Sequence, residues 1–418
     1  MRPAQAEYNA ATLTTPARSR FRRRAVIALA TTALAAEGLW YGIHHVPGFG
    51  PALADGVRAV VGPAPVAWAE NVVYGAADAV NRWRYKDAPP KTFWEPPSET
   101  IPANAAPPSP IERAAEAASA PAEAGSFPPP SYAPPFENVA SKSDGVWIAV
   151  GAAKAAPGGP PAPPAMVKSL VHPDPKRSFA AVAIVAMDLQ RLDLRLVSGL
   201  QEPASSTVAP ERRRGLIAKE DMADVVAAWN GGFKATHGHY GMMIDGDTFL
   251  PARDTACTLA LYRDGAVKIG TWTALSASAP SMAAYRQTPP CLVEQGELNP
   301  ELSEYNRSWG STVSGETIIR RSAVGIDKSG RVLFYALGEA VTSEALGRAM
   351  KVAGAAGAAQ LDVNHAYPRF LMFEQRRAGE LPIATQAIIP DIEFEKWDYT
   401  VEPSPRDFFY IKRRRTSS

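Results

Sequence analysis

The chain has 418 residues, which is enough for two or three folded units. Apolar residues make up 46% and charged residues 21%, and these fractions exclude a wholly disordered chain. A net charge of +2 gives no support for a nucleic-acid-binding protein, so no nucleic-acid partner is expected. Two cysteines exclude a disulfide-dense scaffold and a four-cysteine zinc site.

The amino-terminal part predicts a membrane anchor. Residues 1–24 end in Arg-Ser-Arg-Phe-Arg-Arg-Arg, and residues 25–43 are largely apolar, with Glu37 as the one charged residue. A helix of that length rises about 28 Å, close to the thickness of the hydrocarbon core. The arginines are expected to stay cytoplasmic, so the chain would be a single-pass membrane protein whose carboxyl-terminal domain is exported. A cleaved signal peptide and a buried soluble helix are the alternatives.

Two segments follow the predicted anchor. Residues 44–88 contain valines and a tryptophan near helical spacing, which predicts a juxtamembrane helix on the membrane or a partner, or a plain surface helix. Residues 89–135 include 14 prolines, and proline blocks regular helix and sheet. This segment is therefore predicted to be an extended, semi-rigid linker.

Residues 136–418 predict one globular domain of α+β class. Apolar stretches at 179–189 and 192–199 predict strands, and hairpins are predicted around the Asp-Gly pairs at 245–246 and 264–265 and around 328–330. Helices are predicted at 217–226 and at 342–358, with Thr342 or Ser343 as the N-cap of the second. The expected architecture is a mixed β-sheet core of hairpins with flanking helices.

Four short patterns carry candidate chemistry. Asn230-Gly231-Gly232-Phe233-Lys234 combines an amide with backbone that can approach an anion, or is simply a tight turn. His237 and His239 are candidate substrate ligands, and with His365 they are candidate metal ligands. Arg321 begins an apolar strand and can bind phosphate, whereas Asp362 ends one and can point into a cleft.

The order of these patterns resembles the phosphodiester glycosidase domain family. The family's blocks read roughly NGGFF, G-x-x-I-x-x-G, RTAIG and LDGGGSS. Here they appear as NGGFK from Asn230, GMMIDG from Gly241, RSAVGI from Arg321 and LDVNH from Leu361. The resemblance covers about residues 146–410.

The resemblance implies hydrolysis of a glycosyl phosphodiester without a cofactor. Arg321, with Lys234, would hold the phosphate, and Asn230 would orient the substrate. Asp362 would activate water or stabilise charge at the anomeric carbon, with Asp245 as the second choice. Gly231, Gly232, His237, His239, Asn364 and His365 complete the predicted substrate-binding set.

One block departs from the family pattern. The family's glycine- and serine-rich stretch after the aspartate is replaced by Val363-Asn364-His365-Ala366-Tyr367. Either the substrate has changed, with Asn364 and His365 as new contacts, or the site binds a glycan without turning it over. The second alternative makes the chain an anchored glycan-binding or envelope-binding module.

Two further alternatives remain open at this stage. A metal-dependent hydrolase would use His237, His239 and His365, although no cysteine cluster supports it. In an oxidising compartment Cys257 and Cys291 are also able to form a disulfide.

Overall fold

A computed structural model describes residues 78–85, 88–95, 126–150, 163–303, 307–310, 318–363, 366–377 and 379–415, together with residues 31, 37, 38, 41 and 76. The chain divides into the units Met1–Val66 and Ala67–Ser418. The predicted basic segment 1–24 lies outside the described residues, and so does the predicted anchor 25–43 apart from four positions. None of the helices within the described ranges is both long and apolar enough to cross a membrane.

The second unit is built mainly of strands. The strands are β1 (Ile148–Ala149), β2 (Met166–Val171), β3 (Val182–Asp188), β4 (Leu192–Val197), β5 (Val225–Asn230), β6 (Met242–Ile244), β7 (Asp247–Leu250), β8 (Cys257–Tyr262), β9 (Val267–Thr271), β10 (Met282–Thr288), β11 (Val293–Glu294), β12 (Glu297–Leu298), β13 (Ile319–Asp327), β14 (Val332–Val341), β15 (Ala355–Gln360), β16 (Phe370–Glu374), β17 (Ile383–Ala387) and β18 (Phe408–Arg413). The α-helices with defined bounds are α1 (Trp272–Leu275) and α2 (Ser343–Val352).

The strands form three antiparallel sheets. The large sheet has the order β1-β2-β3-β14-β13-β15-β11-β12. The hairpin sheet has the order β7-β6-β10-β8-β9, and the carboxyl-terminal sheet has the order β17-β16-β5-β18-β4. The three predicted hairpins are present as β6–β7, β8–β9 and β13–β14, so the turn signals in the sequence were sufficient for these local units.

Aromatic side chains join the large sheet to the carboxyl-terminal sheet. Trp229 on β5 stacks on Phe370 of β16 with ring centroids 5.4 Å apart. Phe370 in turn contacts Tyr335 of β14 at 5.1 Å. All three side chains are buried. Burying such rings contributes a few kcal/mol each, and it holds the carboxyl end of β5 beside the interior of β14.

Helix α2 follows the predicted pattern at its beginning but not at its end. The Thr342 side chain accepts a hydrogen bond from Ala345 N at 3.0 Å, which confirms the predicted N-cap. Leu346, Ala349 and Met350 are buried against the large sheet. The small residues after Gly354, predicted to continue the helix, instead form β15, because they pair with β13 at the centre of that sheet.

The predicted helix at 217–226 was wrong. A short 3₁₀ turn occupies Lys219–Asp221, and Val225 begins strand β5. Tertiary pairing overrides the local pattern here, since β5 is bonded on both sides, to β16 and to β18. The described part of the chain is therefore mostly β with few helices, so the α+β prediction is confirmed only in part, and the three sheets are antiparallel rather than mixed.

A disulfide connects two of the sheets. Cys257 opens β8 of the hairpin sheet, and Cys291 precedes β11 of the large sheet. Their sulfur atoms are bonded, which confirms the pairing that the sequence left open. Because both cysteines are buried, the bridge acts as an internal crosslink between the sheets.

Candidate active site

Asn230 is a buried junction between three strands. Its Nδ2 donates to Ser322 Oγ of β13 at 2.9 Å. Its Oδ1 accepts from Tyr335 Oη of β14 at 2.9 Å and from the backbone N–H of Arg369 at 3.2 Å. Both Nδ2 and Oδ1 of the side-chain amide are therefore bonded to other residues of the protein. These bonds fix the end of β5, and the glycine pair follows directly after it.

Gly231 and Gly232 lie against a buried ion pair. Arg286 Nε donates to Asp407 Oδ2 at 2.8 Å, and neither side chain is exposed to solvent. The Gly232 N–H donates to the same Asp407 oxygen at 2.8 Å. A Cβ atom at Gly232 would lie 2.6 Å from Arg286 Cζ. Packing against this pair therefore requires glycine, in addition to any approach by a ligand.

Arg321 is fully buried and is surrounded by acceptors. Its Nη1 donates to Gln360 Oε1 at 2.9 Å, and its Nη2 donates to the Gly310 carbonyl at 3.0 Å. Further bonds from this side chain go to the Trp309 and Val341 carbonyls. Burial lowers the pKa of Arg321 to about 9. These contacts direct Arg321 toward the 309–310 segment, whereas the sequence had predicted contact with phosphate.

Asp362 follows β15 and meets the glycine pair. Its backbone N–H donates to the Gly231 carbonyl at 3.2 Å. Its Oδ1 accepts from the Val363 N–H at 2.7 Å, and its Oδ2 forms an ion pair with Arg406 Nη2. Asp362 is only 3% exposed. The carboxylate is therefore buried next to a cation that the sequence reading did not single out.

Arg406 is the functional candidate that the sequence analysis missed. Its Nη2 donates to the Gly232 carbonyl at 3.0 Å and pairs with Asp362. Its Nε and Nη1 are buried and have no hydrogen-bond partner among the described residues. An arginine in Ser-Pro-Arg-Asp, just before the last strand, gives no local signal of a site. Only the pairing of β18 with β5 brings Arg406 to Asp362.

Tyr367 belongs to the block that departs from the family pattern. Its ring lies over the Arg406 guanidinium, with Cζ 4.2 Å from the ring centroid. Burial raises the pKa of Tyr367, and the charge of Asp362 adds to this, while the charge of Arg406 opposes it. The Tyr367 ring thus covers one face of the Arg406 guanidinium. The N–H groups of Arg406 lie in the plane of the guanidinium, so this contact does not use them as donors.

The other predicted residues that the structure describes, Lys234, His237, His239 and Asp245, lie in loops outside this buried cluster. Asp245 occupies the exposed β6–β7 turn with φ of +49°, and its N–H donates to the Ala283 carbonyl at 2.7 Å. His237 and His239 are exposed, and Lys234 is partly exposed. Asn364 and His365 lie outside the described residues.

The cluster is compact but closed. Ser322 Oγ bonds to Asn230 and to the Asp362 carbonyl, and Arg321 bonds to Gln360 at the end of β15. Asn230, Arg321 and Asp362 are all at most 3% exposed. Within the described ranges no three His, Cys, Asp or Glu side chains are grouped as metal ligands. A cavity of about 370 Å³ opens beside the β16–β17 hairpin, and no predicted site residue lines it.

A match to a family model supports the resemblance noted from the motifs. A family model described as phosphodiester glycosidase matches residues 223–362. The catalytic domain of zebrafish N-acetylglucosamine-1-phosphodiester alpha-N-acetylglucosaminidase, auto-inhibited by its pro-peptide, is 15% identical, with 63% of this chain and 87% of that chain covered and a TM-score of 0.38.

Two other solved structures are more weakly similar. A hypothetical protein from Synechocystis is 9% identical, with coverage of 60% and 62% and a TM-score of 0.37. A putative exported protein from Burkholderia pseudomallei is 9% identical, with coverage of 56% and 74% and a TM-score of 0.24. No curated protein matches the chain. The segment that matches the phosphodiester glycosidase family model begins just before β5 and ends at Asp362, so it includes the motifs that begin at Asn230, Gly241 and Arg321 and the first two residues of the motif that begins at Leu361.

Proposed function

We propose that this protein is a phosphodiester glycosidase-type hydrolase that cleaves a glycosyl phosphodiester in envelope or extracellular glycans. One observation carries the proposal. Arg406, 3% exposed, presents Nε and Nη1 without partners among the described residues, and its Nη2 is paired with Asp362. A buried guanidinium with unused donors is a site for an oxyanion, because leaving those donors unpaired costs free energy.

The chemistry divides between the two groups. Arg406 binds the phosphodiester oxygens and stabilises the charge that accumulates as the bond from the anomeric carbon to the phosphate oxygen breaks. That oxygen keeps the bonding electron pair and leaves as a phosphomonoester. Asp362 either stabilises the positive anomeric carbon or takes the proton from the attacking water, whose oxygen forms the new bond.

The neighbouring residues hold this pair in position. Gly232 supplies the carbonyl that binds Arg406, and Gly231 supplies the carbonyl that binds the Asp362 N–H. Asn230 and Arg321 act through Ser322 and Gln360 to fix the ends of β5, β13 and β15. We therefore assign Asn230 and Arg321 positioning roles.

The export part of the proposal rests on two features. Residues 25–43 would anchor the chain in the membrane, with residues 1–24 on the cytoplasmic side. The Cys257–Cys291 bond supports a domain that folds in an oxidising compartment. The domain would accordingly act on the periplasmic or other extracytoplasmic side.

The test uses the purified full chain and both anomers of methyl N-acetylglucosamine 1-phosphate diester. We expect release of the reducing sugar by the unaltered chain and loss of this release in Asp362→Asn. Arg377→Gln is the matched control, because Arg377 is 84% exposed. Release by Asp362→Asn at the unaltered rate would remove Asp362 from the mechanism.

A non-catalytic glycan-binding module is the second candidate. The burial of Asn230, Arg321 and Asp362 favours it, together with the side chains that replace the family's glycines after Asp362. Calorimetric titration with the same diesters separates the two functions. Saturable binding without sugar release, abolished by Arg406→Gln, would favour the module over the hydrolase.

A further inference from the structure

The chain enters the globular domain much earlier than the predicted linker implies. Asp78 is 7% exposed, and its two carboxylate oxygens accept from Arg177 Nε at 2.8 Å and Nη2 at 3.0 Å. The Tyr85 ring contacts Phe179 at 5.5 Å, and the Tyr85 carbonyl accepts from Ser178 Oγ. The helical residues 78–84 are therefore fixed to the domain on one side.

Residues 88–95 continue this attachment. The Lys91 carbonyl bonds to His172 Nε2 at 2.9 Å, and the Lys91 N–H donates to the Ser178 carbonyl at 3.1 Å. The Trp94 ring lies under Lys168 Nζ, 4.1 Å from the ring centroid. This part of the predicted linker is thus packed on the domain.

The chain is packed on the domain again from residue 126. Tyr132 Oη donates to Ser169 Oγ at 3.2 Å, and Trp147 Nε1 donates to the Pro130 carbonyl at 3.0 Å. Residues 96–125, between these two attached segments, lie outside the described residues. Described contacts with the domain therefore begin at Asp78, whereas the sequence analysis placed the start of the domain at residue 136.

The other side of the helical residues 78–84 carries two exposed apolar side chains, and no described residue covers them. Trp83 is 80% exposed and Val80 is 58% exposed, and the spacing of three residues places them on one face. Arg82 and Arg84 flank Trp83 in the sequence, and Arg82 is 45% exposed while it pairs with Asp78 at 3.0 Å. Tryptophan beside arginine is the combination that prefers the boundary between lipid tails and headgroups.

We infer that the Val80–Trp83 face rests on the lipid surface and holds the domain directly against the bilayer. The inference depends on the anchoring proposed above and is independent of catalysis. One tryptophan and one valine bind lipid weakly, but the proposed anchor belongs to the same chain, with 34 residues between it and Asp78, and this makes the contact intramolecular. Arg82 and Arg84 add attraction to anionic headgroups. Asp78 does not oppose this attraction, because it is buried and paired with Arg177.

The test uses the full chain reconstituted in vesicles of phosphatidylcholine and phosphatidylglycerol. Both native cysteines are in the disulfide, so Val80→Cys supplies the sole reactive thiol for an environment-sensitive NBD fluorophore. We expect a blue-shifted emission that a lipid-borne nitroxide quenches and aqueous iodide does not. Trp83→Ser in the same chain should reverse both effects. Leu381→Cys, at a position 48% exposed, is the control and should be quenched by iodide.

Each other result overturns the inference. Quenching of the label at position 80 by iodide would show that the Val80–Trp83 face is exposed to water. Protection from both quenchers would show a face covered by protein. Failure of the chain to float with the vesicles would overturn the anchor as well, whereas sugar release by the same sample tests the proposed hydrolase separately.

Discussion

Gly232 lies directly against the guanidinium of Arg286, and a Cβ atom at position 232 would approach Arg286 Cζ to 2.6 Å. Arg286 cannot move away easily, because it donates to Asp407 and to the Phe233 and Tyr240 carbonyls. The glycine pair that the sequence marks as a ligand-binding turn is thus also a packing requirement of the interior.

Gly232→Ala is expected to lower the free energy of unfolding by about 1–3 kcal/mol through overpacking. Urea unfolding followed by circular dichroism measures this change. Gly330→Ala is the comparison, because an added Cβ meets no atom within 4 Å there and only the positive φ opposes it. A smaller loss at Gly232 than at Gly330 would contradict the packing argument.

Asp407→Asn should be more damaging still. It removes the charge that compensates fully buried Arg286, and breaking such a pair costs roughly 3–5 kcal/mol. The same unfolding measurement applies. Glu380→Gln provides the control, since its pair with Arg377 is exposed at 3.6 Å and is expected to contribute almost nothing. Equal effects of the two variants would show that the buried pair contributes no more to the free energy of unfolding than the exposed pair.

The ion pair at Asp221 predicts sensitivity to acid. Burial alone would raise the pKa of Asp221, but hydrogen bonds from Lys412 and Tyr410, with the charges of Lys412 and Arg195, lower it below 3.8. The unfolded chain therefore binds more protons than the folded chain between the two pKa values. The stability from this group is complete above pH 3.8 and is lost as the pH falls through the folded pKa.

Asp221→Asn should flatten that part of the pH profile. Melting temperatures measured from neutral pH to below pH 3.8 compare the variant with the unaltered chain. Asp264→Asn, in an exposed turn, is the control and should keep the original slope. An identical slope in all three proteins would mean that Asp221 does not contribute to acid sensitivity.

Removing the disulfide should destabilise the domain. Cys257 and Cys291 are 34 positions apart, and closing a loop of that length stabilises the folded state by about 4 kcal/mol in the chain-entropy treatment. Replacing both cysteines by alanine and following thermal unfolding measures the loss. A double variant as stable as the oxidised chain would show that the sheets are held together without the bridge.

Arg406→Lys tests the geometry of the anion site apart from its charge. Lysine keeps the positive charge but loses the planar donors and the stacking against Tyr367. We expect a loss of about a hundredfold in sugar release from the glycosyl phosphodiester. Unfolding measured in parallel separates a folding defect from a site defect. Unchanged release in a folded variant would exclude a role for the guanidinium.

The sequence by itself determined the local units and the order of the motifs. Asp-Gly pairs favour hairpin turns because they accept positive φ, so the hairpins β6–β7 and β8–β9 could be predicted from the sequence. Thr342 marks the start of α2 in the same way, because capping involves only neighbouring backbone groups. The patterns at 230, 321 and 361 that resemble the family can be recognised in the sequence because each is short and contiguous.

Which residues those motifs contact was decided only by the tertiary structure. Strand β5 replaced a predicted helix because β16 and β18 pair with it on both sides, and no local pattern records those partners. The same pairing carries Arg406 to Asp362, across 44 positions of chain. The carbonyls of residues 309 and 310, from another segment, bond to Arg321. Burial and ion pairing depend on contacts between distant segments, and a linear pattern of residue types does not contain them.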